Sequence, residues 1–146
     1  MSIIINIILT VITFCFMEFV AWATHKYVMH GFLWKLHEDH HVVNHKNRLQ
    51  KNDFFFLIFA IPSVVLMYNG YSGYGFFIGL GILLYGIAYF IIHEVIIHRR
   101  IPPPKKTKRK YIKAIRKAHK IHHKNLTKYS GVNFGMLIVP RKYFKE

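Results

Sequence analysis

The sequence predicts an all-α integral membrane protein with about three membrane-spanning helices, formed by a single domain over residues 1–146. Two observations carry this prediction. The chain is 53% hydrophobic and 16% aromatic, which is more apolar than a soluble domain of 146 residues usually is. Its 21 Lys and Arg residues all lie outside the long apolar runs, as they do in membrane proteins.

The apolar runs are the candidate spans. Residues 2–24 contain one charged residue, and as a helix they would extend roughly 34 Å, enough to cross a bilayer. Residues 54–69 and 73–92 would extend about 24 Å and about 30 Å. The Gly, Ser and Tyr residues of 70–74 are typical of a turn, so these two runs are expected to form a helical hairpin. An alternative is that 2–24 forms two shorter helices or lies obliquely.

The distribution of charge predicts the topology. Every Lys and Arg falls within 25–53 or 93–146, and the formal net charge is +15. Because basic segments remain cytoplasmic, these two segments are expected inside, with 70–74 and the N-terminus outside. The apolar segment 131–140 is too short to span and is expected at the membrane interface. The basic residues form no recognised nucleic-acid motif, so we expect no nucleic acid partner.

The histidines form an internal repeat of two motifs, H-x4-H and H-x2-HH, and each pair of motifs follows an apolar run. The motif residues are His25, His30, His37, His40, His41, His93, His98, His119, His122 and His123. His45 is the remaining one of the eleven histidines and is expected to be solvated. The second repeat has a longer connector, with Pro102, Pro103 and Pro104, which leads into a predicted basic helix at about 110–123.

This spacing indicates a metal site. Positions i, i+3 and i+4 share one helical face, so each H-x2-HH presents its imidazoles together. Positions i and i+5 differ by about 140° on an ideal α-helix, so each H-x4-H either faces two metals or lies on a distorted helix end. Ten imidazoles exceed the needs of one metal, and we expect two metals with up to five His each. Cys15 is the single cysteine, which excludes a cysteine-based zinc site.

Imidazole suits Zn, Cu, Fe and Ni. Open coordination positions near a membrane favour O2 chemistry with iron, whereas a structural zinc site is closed and has four ligands. The acidic residues expected to hydrogen-bond to the metal-ligating histidines are Glu18, Glu38, Asp39 and Glu94. Glu18 lies within the first run, two turns before His25, and its alternative is a protonated or interfacial side chain. Asp53 is expected to cap the second span.

At these motifs the sequence resembles the bacterial beta-carotene hydroxylase family, within the wider membrane fatty-acid hydroxylase and sterol desaturase group. The resemblance covers nearly the whole chain and includes Glu18, Asn52, Asp53 and Tyr85. The similar stretches are MEFVAWATHKYVMHG (17–31), LWKLHEDHH (33–41), KNDFFFLIFA (51–60), YGIAYFIIHEVIIHRR (85–100), AHKIHH (118–123) and VNFGMLIVP (132–140). The family commonly has Asp where this chain has Glu94, and the carotenoid ketolases differ in histidine spacing.

The resemblance implies hydroxylation of the 3 and 3′ carbons of beta-carotene, giving beta-cryptoxanthin and then zeaxanthin. It implies two non-haem irons on the ten motif histidines, O2 as oxidant and reduced ferredoxin as electron donor, in the bacterial cytoplasmic membrane. No nicotinamide or flavin fingerprint is present, which agrees with a separate donor. A basic face would attract an acidic ferredoxin and also anionic lipid headgroups. Candidate residues for the substrate channel are Trp22, Phe54, Phe55, Phe56, Tyr85 and Phe90.

Two other functions stay open. One is hydroxylation of another membrane lipid, such as a fatty acyl chain or a sterol. The other is metal transport by a His-rich membrane protein, which would place His and acidic residues along the middle of the spans. The oligomeric state is not predicted, although the Gly-rich run of 75–86 could pack against a second copy.

Overall fold

The computed structural model describes residues 2–42, 49–71, 73–101 and 109–144, and across these ranges it is helical with no strand. The prediction of an all-α protein is therefore confirmed. His45 and Pro102, Pro103 and Pro104 lie outside the described residues. The helices are α1 (Ile3–Ala23), α2 (Trp34–His41), α3 (Phe56–Asn69), α4 (Tyr74–Phe90) and α5 (Lys110–His122). Two π-helical segments, Thr24–Phe32 and Ile91–Ile97, continue α1 and α4, and 3-10 turns occupy Lys51–Phe55 and Arg141–Phe144.

Three helical stretches are long and apolar enough to cross a membrane: Ile3–Phe32, Lys51–Asn69 and Tyr74–Ile97. The prediction of three spans is confirmed within the described residues. The alternative of two short helices over 2–24 is wrong, because α1 is continuous from Ile3 to Ala23. The first and third stretches run past the predicted ends because their π-helical segments extend α1 and α4 into the histidine motifs.

Helix α4 packs against both α1 and α3, and glycine permits the close approach. A Cβ at Gly79 would lie 2.7 Å from the carbonyl oxygen of Ser63, and a Cβ at Gly81 would lie 2.7 Å from that of Thr10. The Ser63 hydroxyl donates to the carbonyl oxygen of Gly79 at 2.9 Å. These two glycines therefore serve close contacts between helices within the chain.

The C-terminal third of the chain covers the end of the bundle at which the histidines lie. Helix α5 packs against the second π-helical segment, and Arg141–Phe144 packs against α5 through Tyr143. The predicted basic helix at 110–123 is confirmed as α5. The segment 131–140, expected at the membrane interface, folds back onto α1, where backbone N–H groups of this segment meet the Glu18 side chain. Asp53 accepts the N–H of Gln50 at 2.9 Å and so caps the turn leading into α3, as predicted.

Candidate metal centre

Both H-x4-H motifs lie on π-helical backbone. In the second motif the N–H of His98 donates to the carbonyl of His93 at 2.9 Å, which is the i to i+5 bond of a π-helix. This wider turn brings residues five apart to the same side of the helix. The ring centroids are 5.2 Å apart for His25 and His30 and 4.5 Å for His93 and His98. The distorted-helix interpretation is therefore confirmed, and the idea that each pair faces two different metals is wrong.

The histidines converge into two groups that could each hold a metal ion. We call the first group His25, His30, His37, His41 and His122, and the second group His40, His93, His98 and His119. Within each group, one ligand nitrogen per residue lies within 4.8 Å of all the others. The structure thus brings nine of the ten predicted ligands into two clusters, as the expectation of two metals requires.

The two repeats exchange one histidine each. The middle residue of each H-x2-HH joins the group built by the other repeat, so His40 lies in the second group and His122 in the first. Each H-x2-HH presents its rings on one side of its helix, as predicted, but its histidines are divided between the two groups. His123 lies beside the second group, with its ring centroid 4.4 Å from that of His119. Its buried Nε2 has no hydrogen-bond partner, and in the repeat it corresponds to His41 of the first group.

Oxygen acceptors fix the tautomer of every ring in the first group. The acceptors for Nδ1–H are the carbonyls of Phe134 for His25, Lys128 for His30, Asn125 for His41 and Val132 for His122, and the Asn52 side-chain oxygen for His37. In the second group, His40 donates to Gln50 and His93 donates to Glu94. Because these oxygens only accept, Nδ1 carries the proton and each Nε2 keeps its lone pair.

The Nε2 atoms then face one another without a proton to share. Their separations are 3.2 Å between His25 and His37, and 3.1 Å between His30 and His41. Imidazole nitrogens that share one ion at about 2.0–2.1 Å lie roughly 3 to 3.4 Å apart. A cation at the centre of the group would satisfy all these lone pairs, so the donor set fits a metal.

Burial keeps the imidazoles in the neutral form that binds a metal. Removal from water lowers the pKa of His37 to about 2, and that of His122 to about 3. The same cause lowers the pKa of His41 to about 4 and that of His98 to about 3, and it holds the pKa of His119 well below its usual value. The rings outside the spans are therefore uncharged at neutral pH and need lose no proton on binding a metal.

Two of the acidic candidates support histidines. Glu94 accepts from His93 Nδ1 at 2.5 Å, and its other oxygen pairs with Arg100 Nε at 2.9 Å. Arg100 also donates to Asp53 at 2.8 Å, which connects the start of the second span to the end of the third. Asp39 supports a histidine indirectly, through Asn52. It accepts the backbone N–H of Asn52 at 3.4 Å, and the Asn52 side chain accepts from His37 at 2.6 Å.

The other two acidic candidates do not contact a histidine in the described part of the chain. Glu38 pairs with Lys35 at 3.2 Å on the surface. Glu18 accepts the hydroxyl of Tyr85 at 2.8 Å and three backbone N–H groups from residues 136–138. The expectation that Glu18 bonds to a metal-ligating histidine is therefore wrong, because four donors from other elements occupy its oxygens.

Sequence reasoning missed most of the groups that orient the rings. Asn52 and Gln50 supply side-chain acceptors, and an irregular C-terminal segment supplies four carbonyls. The only usable signal was the pair of amide residues just before the second span. Because every residue type carries a backbone carbonyl, the sequence of the C-terminal segment contained no signal for these four acceptors.

Replacing Asn52 with leucine is expected to weaken metal binding by about 10-fold to 100-fold at the first group, because His37 loses the acceptor that fixes its ring. Metal titration of the purified protein would measure this change. Asn69→Leu is the matched control, since Asn69 is exposed at the opposite end of α3. Equal affinities in the Asn52 variant and the control would contradict this role for Asn52.

An apolar cavity of about 700 Å³ lies between the three spans. Its walls include Phe55, Phe56, Phe59, Ile82, Ile87 and Phe90, and its polar lining residues include Asn52, Asp53, Glu94 and Arg100. Asn52 and Glu94 hydrogen-bond to His37 and His93, so the cavity adjoins both groups. Of the predicted channel residues, Phe55, Phe56 and Phe90 line the cavity, whereas Trp22, Phe54 and Tyr85 do not.

The fold and the site define a class: membrane-spanning helical proteins with two buried histidine groups beside an apolar cavity. The fatty acid hydroxylase family model matches residues 10–141. The chain belongs to the fatty acid hydroxylase family, and a member of a hydroxylase family is an oxidoreductase.

Curated relatives carry a more specific name. The chain is 35% identical to the beta-carotene hydroxylase of Pantoea ananas over 137 residues, which cover 92% of this chain and 78% of that one. It is 33% identical to the beta-carotene hydroxylase of a Paracoccus species, covering 92% and 85% of the two chains. It is also 33% identical to the chloroplastic beta-carotene 3-hydroxylase 2 of Arabidopsis thaliana, covering 86% of this chain and 43% of that protein. No solved structure matches the chain.

Proposed function

We propose that this protein is a beta-carotene 3-hydroxylase, which converts beta-carotene to beta-cryptoxanthin and then to zeaxanthin. Each hydroxylation consumes one O2, two electrons and two protons, and releases one water. The observation that carries the proposal is the convergence of two buried histidine groups next to an apolar cavity between the spans. The names of the relatives support the carotenoid substrate.

Two non-haem iron ions are the proposed cofactor, held by the ten motif histidines. His123 completes the second group in this proposal, because its buried Nε2 lacks a partner and the repeat pairs it with His41. Bound iron supplies the activation of O2 for oxidation of an unactivated C–H bond, which no side chain can perform. Seven of the ten rings are held by an oxygen acceptor at Nδ1, which keeps their Nε2 atoms unprotonated.

The cavity is the proposed binding site for the ring of the substrate. A C40 hydrocarbon dissolves in the bilayer, and the cavity lies between the spans, lined by Phe55, Phe59 and Ile82. Its polar residues adjoin the histidines, so a ring that fills the cavity approaches both groups. The apolar walls exclude water from the reacting carbon and select a bulky cyclic end group by shape.

A separate reduced ferredoxin is the proposed electron donor. The cytoplasmic side of the bacterial inner membrane is the proposed location of the site, by the distribution of basic residues. Helix α5 exposes Lys113, Lys117 and Lys120 on the face opposite His119 and His122. Such a face attracts an acidic protein, and it attracts anionic lipid as well.

The test is pigment analysis of cells that accumulate beta-carotene, with and without this protein. The proposal predicts that beta-cryptoxanthin and zeaxanthin appear, and that they carry label when the cells are grown under ¹⁸O2. Unchanged beta-carotene, with the protein present in membranes and loaded with iron, would contradict the substrate assignment. Hydroxylated acyl chains or sterols in those cells would then indicate the other lipid substrates.

A further inference from the structure

A buried carboxylate in the first span hydrogen-bonds to the backbone of the C-terminal part of the chain. Glu18 is 7% exposed and lies on α1. Its Oε1 accepts the backbone N–H groups of Met136 and Leu137 at 2.8 Å and of Ile138 at 3.0 Å. Its Oε2 accepts the Tyr85 hydroxyl at 2.8 Å. Glu18 therefore connects the first span, the third span and a segment about 120 residues further along the chain.

That segment, residues 125–138, is the strap. Its carbonyls accept the Nδ1–H groups of four histidines, namely His41, His30, His122 and His25. All four belong to the first group. The second group takes its described Nδ1 acceptors from Gln50 and Glu94 instead. The position of the strap therefore sets the orientation of four of the five rings of the first group, whereas the described Nδ1 acceptors of the second group lie outside the strap.

The strap has no helix or strand of its own to hold it in place. Three successive N–H groups aimed at one anionic oxygen form a concave anion-binding arrangement, and hydrogen bonds to a charged acceptor are roughly twice as strong as neutral ones. Met136 is 3% exposed, so water does not replace the carboxylate at this point. Met136, the first of these three donors, lies two residues from Phe134, whose carbonyl oxygen is 3.0 Å from His25 Nδ1.

We propose that Glu18 is a positioning residue that holds the strap, so that the strap carbonyls keep the imidazoles of the first group aligned for metal binding. Tyr85 holds the carboxylate in place from the third span. The inference rests on the metal-binding part of the proposed function and not on the identity of the substrate. Glu18, a charged residue within a membrane span, thus aligns the histidines of one of the two metal groups.

The test compares Glu18→Gln and Tyr85→Phe with Phe19→Leu, a control at the neighbouring lipid-exposed position of α1. Hydrogen exchange measured by mass spectrometry reports on the amides of 136–138. Iron titration of the detergent-purified protein reports on the two groups separately. In Glu18→Gln we expect these amides to exchange about 10-fold faster. We expect one of the two iron affinities to fall about 10-fold while the other stays at its wild-type value.

Tyr85→Phe is expected to shift both readouts in the same direction by a smaller factor, and Phe19→Leu is expected to shift neither. Wild-type exchange at 136–138 in Glu18→Gln would overturn the inference. Equal weakening of both iron affinities, with faster exchange throughout the spans, would also overturn it, since that pattern indicates general loss of the fold. A wild-type protein that binds no iron would refute the proposed cofactor, whereas the exchange measurement would still decide whether Glu18 holds the strap.

Discussion

Replacing His122 with alanine is expected to abolish hydroxylation and to leave one tightly bound metal per chain in place of two. His122 is 0% exposed, and its Nε2 lies 3.2 Å from that of His30. Although it comes from the second repeat, it belongs to the first group, so its loss removes one ligand and opens a void at the centre of the site. Turnover should fall by more than about 100-fold, beyond the loss caused by removing a supporting hydrogen bond.

The matched control is His45→Ala, because His45 is the one histidine outside the two motifs. The control should retain full activity and both metals. Product analysis in cells that accumulate beta-carotene and metal analysis of the purified variants give the two readouts. Wild-type-like turnover with two metals in His122→Ala would refute its assignment as a ligand.

Replacing Gly86 with phenylalanine is expected to lower carotene hydroxylation strongly while leaving the metal content unchanged. Gly86 lines the cavity, and a Cβ built there has no neighbouring atom within 4 Å. Because Gly86 lines the cavity, a benzyl side chain there is expected to occupy part of the space proposed for the substrate ring. Because a small displacement of a reacting group is costly, turnover should fall by about 100-fold.

Gly86→Ala is the matched control, since a methyl group occupies little of the cavity and favours the helix. It should retain most of the activity. Iron analysis and circular dichroism would show that the phenylalanine variant is folded and loaded. Undiminished conversion of beta-carotene by that variant would exclude this cavity as the substrate site.

The spans and the histidine set could be predicted from the sequence because both depend on side-chain type and local spacing. A membrane span can be recognised from the sequence because it needs an apolar run long enough to cross the bilayer. The H-x2-HH spacing places three rings on one face of an ordinary α-helix, and both α2 and α5 are such helices. The same reasoning identified Glu94, which follows His93 in the chain and bonds to its ring.

The assembly of the site could not be predicted in this way. The π-helical backbone brings His25 beside His30. From the sequence, a distorted helix end was only one of two possible interpretations of the H-x4-H spacing. The exchange of His40 and His122 between repeats depends on how the helices dock, which spacing within one helix does not encode. Glu18 was correctly singled out as a charge within a span, but its partners are backbone groups of the strap, and these have no signature in side-chain sequence.

We infer that ten histidines from two repeats build two metal sites in one small membrane protein. The most direct measurement is the iron stoichiometry of the purified protein after anaerobic reconstitution with Fe(II), with protein concentration determined by amino-acid analysis. We expect two iron ions per chain, and one after replacement of a ligand in either group, such as His122 or His119. A stoichiometry of one in the wild-type protein, or retention of two after both of these replacements, would contradict it.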